Sequence, residues 1–121
     1  MQIGELSRLT GASPRSLRYY EEQGLITAER LDNGYRVYGT ETILVVQNVR
    51  SLLAAGLTMA DIGQIGECLF TQDLSQAEVC DHVLALYERR VASVESQLAA
   101  TADTAGRLHS ELDSLRERAG H

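Results

Sequence analysis

Apolar positions fall at helical spacing from the first residues of the chain. In QIGELSRLT, residues 2–10, Ile3, Leu6 and Leu9 share one face, which predicts a short helix broken at Gly11-Ala12. Ser13-Pro14 predicts the start of a second helix. Serine is a preferred N-cap, and proline suits the first helical position because the N–H it lacks would be unpaired there anyway. RSLRYYEEQ carries this helix to Gly24, a glycine placed to end it. Two short helices joined by a tight turn form a helix-turn-helix. The period then changes. Asn33-Gly34, next to the strand-favouring Tyr35 and Val37, predicts a type I′ turn and a small β-hairpin, a wing. Thr40 is placed to cap a third helix, ETILVVQNVRSLLAA, ended by Gly56. Thr58 with Asp61 opens a fourth through an S/T-x-x-D/E pattern.

A linker is expected over 71–74, after a winged domain of residues 1–70. Ser75 with Glu78 forms a further capping box, and a single helix is expected over 75–118. Its apolar positions are Ala77, Cys80, Leu84, Tyr87, Val91, Val94, Leu98, Thr101, Ala105, Leu108, Leu112 and Leu115, at intervals alternating between three and four. That is a heptad seam of more than five repeats, on a helix about 60 Å long. A winged domain cannot cover so long a stripe. A second copy of the same helix is the simplest cover, with Leu84, Tyr87, Val91, Val94, Leu98, Leu108, Leu112 and Leu115 as the expected dimer interface. The fold class is therefore mainly α: a winged helix-turn-helix followed by a long dimerisation helix.

Composition refines this picture. The chain has 121 residues, 44% of them hydrophobic, enough for one compact core. No apolar run reaches the length of a transmembrane helix, and MQIGELSRLTG lacks the pattern of a signal peptide, so a cytoplasmic protein is expected. The net charge of −6 is unusual for a nucleic-acid binder. Residues 1–70 hold six Arg against eight Asp and Glu, a balance of −2, so the winged part is not basic either. Every positive side chain is arginine, however, and a few arginines in the right places make bidentate contacts to phosphate and guanine. Such a protein binds DNA weakly without sequence preference and relies on a dimer for affinity. Two cysteines, Cys68 and Cys80, do not make a disulfide framework.

The opening IGELSRLTGASPRSLRYYEEQGLI, the wing segment NGYRVY and the later VRSLLAAGLTMADI together resemble the MerR family. The order helix-turn-helix, wing, helix pair and long helix spans nearly the whole chain. The resemblance implies an antiparallel coiled coil between protomers, holding two heads on a pseudo-palindromic operator. It also implies a promoter with an overlong spacer, which the activated dimer distorts so that RNA polymerase engages both elements. Helical spacing independently puts Arg15, Ser16 and Tyr19 on one face of the second helix, with Arg18 beside them, to enter the major groove of double-stranded DNA. Leu17 and Tyr20 fall on the opposite side, so Tyr20 is a packing residue as well as a DNA-binding candidate. Arg36 and Tyr38 match family positions that hold the DNA backbone. Arg50 matches a phosphate-contact position, its alternative being an internal ion pair.

Cys80 aligns with a metal-ligand cysteine of the family's mercury sensors. No cysteine follows it, and soft metals need clustered thiolates, so no metal and no cofactor are expected. Cys80 is then either a small seam residue or a thiol sensor near a helix start; Cys68 is expected in the core, or as part of the same sensor. His82 and His109 read as helix-surface residues. No nucleophile and base, phosphate loop or paired carboxylates suggest an enzyme. The competing classes are an excisionase-like DNA-bending protein, a thiol- or redox-responsive regulator acting through Cys80, and an adaptor whose coiled coil pairs with another protein. The effector is not legible.

Overall fold

The computed structural model describes residues 1–66, 68–71 and 81–120. The chain divides into two compact units, Met1–Leu86 and Tyr87–His121. The elements of the first are α1 (Ile3–Thr10), α2 (Pro14–Glu22), β1 (Glu29–Arg30), β2 (Arg36–Val37), α3 (Glu41–Ala54), α4 (Met59–Ile62) and α5 (Cys68–Thr71). A final helix, α6 (Asp81–Arg118), begins in the first unit and forms the second.

Helix α3 is the hub, packed against α1, α4 and α5. Its Val45, Val46, Val49 and Leu52 are buried with Leu6, Leu17, Ile62 and Leu69 from the surrounding helices. Asn48 is buried in the same helix, and its amide nitrogen donates to the Leu69 carbonyl at 2.9 Å, tying α5 to α3. Burying that amide is tolerable because it is bonded.

The helix starts and stops follow local chemistry. Ser13 accepts from the Ser16 amide at 3.1 Å with Pro14 in the first turn. Thr58 and Asp61 close a full capping box, at 3.1 and 2.9 Å. Gly11 and Gly24 end α1 and α2 with φ of +78° each, the left-handed conformation that glycine adopts without strain.

Two expectations are corrected. The wing turn is not type I′, because among the described residues none other than glycine has a positive φ. Leu31 accepts from Gly34 and donates to Tyr35, both at 2.8 Å, and only Gly34 turns left-handed. This is a longer loop built on a type I turn, with Asn33 spending its side chain on the Tyr35 amide at 3.1 Å. Thr40 makes no side-chain cap: its backbone is already helical, and α3 starts instead with amides bonded to the Gly39 and Thr40 carbonyls. Cys68 begins a separate short helix, set off from α4 by Gly63 and the left-handed Gly66.

Thr71, the first residue of the expected linker, closes α5. The rest of that linker, the Ser75–Glu78 capping box, Ala77 and Cys80 lie outside the described residues. From Asp81 onward the long helix runs unbroken to Arg118. No helix among the described residues is long and apolar enough to cross a membrane.

Candidate nucleic-acid interface

Helix α2 separates its residues by face. Leu17 and Tyr20 are buried, whereas Arg15, Arg18 and Tyr19 are exposed and Ser16 is half-buried. The exposed face presents two guanidiniums and a phenol within little more than one helical turn. Ser16 is partly engaged: Ser13 donates to its hydroxyl at 3.0 Å, and it is bonded to Tyr20. Burial raises the Tyr20 pKa above its ordinary value of 10.0, against the opposing pull of the Arg50 charge and the Ser16 bond.

The hairpin lies beside this face. An open cleft of about 270 Å³ between them is lined by Gln2, Ile3, Arg18, Tyr35, Arg36 and Tyr38. Arg36 pairs with Glu21 of α2 and remains about half exposed. Tyr38 behaves differently: it is 4% exposed, and its hydroxyl donates to Glu21 at 2.6 Å. Its backbone is bonded to Met1 in both directions, at 2.6 and 2.8 Å. The structure therefore brings Arg18 and Arg36 to one cleft, leaves Arg15 and Tyr19 exposed along the same helix, and buries Tyr20 and Tyr38, which were expected to bind DNA.

Arg50 projects from α3 toward the turn between α1 and α2, where it donates to the Thr10 carbonyl. Its partner is the end of a helix, not the internal acid considered as the alternative. A carbonyl at a helix C-terminus carries partial negative charge and suits a cation. A Cβ at Gly11 would stand 2.7 Å from the Arg50 Nη1, so the glycine also makes room for this bond.

The seam residues of α6 are exposed in the single chain: Leu84, Val91, Val94, Leu98, Leu108, Leu112 and Leu115 all lie open, with Tyr87 half-buried. Leu86 was not singled out by the heptad pattern, yet it is 2% exposed within the first unit. A residue off the seam, on the first turns of a long helix, is where contact with the head would be sought. Glu21 was missed as well. Its spacing of four from Leu17 puts it on the inner side of α2, which was the available signal.

Cys68 is buried and disulfide-bonded, which corrects the expectation of unpaired cysteines for this residue. Among the described residues no group of three or more His, Cys, Asp or Glu side chains is placed to hold a metal ion.

Comparison with known proteins accords with this arrangement. The family model described as MerR HTH family regulatory protein matches residues 1–67. The HTH-type transcriptional regulator HmrR of Sinorhizobium medicae (strain WSM419) is 32% identical over 104 residues, covering 85% of this chain and 68% of that protein. The nodulation protein NolA of Bradyrhizobium elkanii is 40% identical over 62 residues, half of this chain but only 28% of its own length. In structure, the chain is similar to the transcription regulator PbrR691 of Ralstonia metallidurans CH34, solved in complex with lead(II). The TM-score is 0.67 at 26% identity, covering 97% of this chain and 86% of that one. The chain belongs to the MerR family of DNA-binding transcription regulators.

Proposed function

We propose that two copies of this chain pair along the α6 stripe and set their heads on a pseudo-palindromic promoter operator. There they distort the duplex to control RNA polymerase. The observation that carries the reading is the exposure of Arg15, Arg18 and Tyr19 on one helix, with Arg36 of the wing sharing a cleft with Arg18, in a chain whose net charge is −6. Arg15 and Tyr19 would face base edges, and Arg36 a phosphate. Arg50 would reach a phosphate only with donors not spent on Thr10. The protein would act in the cytoplasm, on the nucleoid when bound to DNA, and not as an enzyme.

Selection from a randomised duplex pool tests the proposal. The expected product is a dyad with half-sites about one helical turn, or a multiple, apart. A second assay places that dyad between promoter elements of lengthened spacing and measures transcription. Recovery of no common sequence, or of a site without dyad symmetry, refutes the reading. Binding and bending with no effect on transcription favours the architectural alternative.

The bound lead(II) of PbrR691 is not extended to this chain. Soft-metal affinity depends on clustered thiolates, and Cys68 of this chain is disulfide-bonded and has no thiolate to give. That bonded Cys68 favours a second reading, a thiol-responsive regulator. An operator affinity that does not change between reduced and oxidised protein would exclude it.

A further inference from the structure

We infer that Glu21 is the positioning residue that sets the wing against the recognition helix and thereby determines how well the head tells its operator from other DNA. The inference rests on the DNA-binding reading of the head. One carboxylate, on the last turn of α2, serves Arg36 of β2 and Tyr38 just after it. Its Oε1 accepts from the Tyr38 hydroxyl at 2.6 Å, and its Oε2 pairs with the Arg36 guanidinium. The carboxylate itself is largely covered, with 19% of the Glu21 side chain exposed against 52% for Arg36. Tyr38 is in turn held by Met1 through both backbone groups, so the link runs without a gap from the recognition helix to the edge of the hairpin.

This arrangement has two consequences for binding. Guanidinium carries five N–H donors, so an Arg36 held by Glu21 through one nitrogen still offers others toward the cleft it shares with Arg18. An arginine already held in place loses less freedom when it meets a phosphate at the matching spacing. The same carboxylate offsets the Arg36 charge, which weakens attraction to any phosphate at the wrong spacing. Glu21 therefore favours the correctly spaced duplex and penalises the rest. A residue that merely stabilised the fold would act on both kinds of DNA alike.

The test measures binding of the full chain to the duplex it selects from a randomised pool and to a scrambled duplex of equal length, across a salt series. Glu21→Gln keeps an oxygen for Tyr38 and removes the charge. The scrambled duplex should bind several-fold more tightly, roughly as expected for an uncovered phosphate contact. The ratio of selected to scrambled affinity should fall about tenfold, the order of a lost specific contact. The salt slope should steepen by about one per protomer as Arg36 regains its full charge. Tyr38→Phe, which changes no charge, should lower the ratio by a smaller factor and leave the slope alone. An unchanged ratio in a folded Glu21→Gln protein, or equal losses on both duplexes, overturns the inference. If Glu21→Gln fails to fold, Tyr38→Phe decides, and an unchanged ratio there overturns it. A wild-type chain that selects no sequence refutes the DNA reading and this inference together. A wild type that selects, with variants that match its ratio, refutes this inference alone.

Discussion

Replacing Gly11 by alanine should destabilise the head more than replacing Gly24, although both glycines have the same φ of +78°. A left-handed conformation costs an L side chain about 1–2 kcal/mol. At Gly24 that is the whole cost, because nothing lies within 4 Å of the added Cβ. At Gly11 the Cβ would stand 2.7 Å from the Arg50 Nη1 that donates to the Thr10 carbonyl. The arginine end can swing away, but the bond is then lost. A hydrogen bond from a charged donor is worth about 1.5–3 kcal/mol, and solvent exposure of Arg50 argues for the lower end. Gly11→Ala should therefore cost about 2.5–3.5 kcal/mol and Gly24→Ala about 1–2. Urea unfolding at fixed protein concentration, followed by the tyrosine signal, gives both values. In an Arg50→Ala background the excess should vanish, leaving the two glycine variants equal. Equal costs in the wild-type background, or an excess that survives Arg50→Ala, would refute the argument that Arg50 braces this turn.

Three further outcomes are expected. Val94→Asp with Leu98→Asp should turn a sedimenting dimer into a monomer without operator binding, since each unpaired charge in a desolvated seam is costly; a persistent dimer would mean that the seam is misassigned. Arg36→Ala should weaken all duplexes similarly and lower the salt slope by about one per protomer or less, and a change of sequence preference at constant affinity would refute its phosphate role. The raised Tyr20 pKa favours the neutral phenol in the folded state, so this contribution to stability is full below pH 10.0 and is lost as pH rises through the folded-state value. Thermal unfolding of Tyr20→Phe should accordingly fall off less steeply above pH 10.0 than that of the wild type, and parallel curves would contradict the burial argument.

Much of this molecule is written in short-range chemistry. Ser13 and Pro14 begin α2, Gly11 and Gly24 end helices, and Thr58 with Asp61 close a capping box, each through atoms within a few residues of one another. The heptad spacing from Leu84 to Leu115 announced a helix whose apolar stripe is open in the single chain. Face assignment on α2 was equally legible, because helical period alone separates Arg15 and Tyr19 from Leu17 and Tyr20. Periodicity says which residues share a face; it does not say what lies opposite. That was decided by the tertiary fold. It buried Tyr38 and bonded it to a carboxylate 17 residues away, and it turned Arg50 onto a carbonyl 40 residues away. Helical period already sets Glu21 apart from its neighbour Glu22 by placing it on the Leu17 side of α2, but only the fold brought Arg36 and Tyr38 of the wing to that side. The wing turn shows the same limit at shorter range. Asn33-Gly34 permits a type I′ turn, but the Leu31–Tyr35 pairing lengthened the loop and left only Gly34 in the left-handed region. Local atoms set where elements begin and end, because their partners are fixed by chain connectivity. The partners of Glu21, Tyr38 and Arg50 exist only once α1, α2, α3 and the hairpin have packed together.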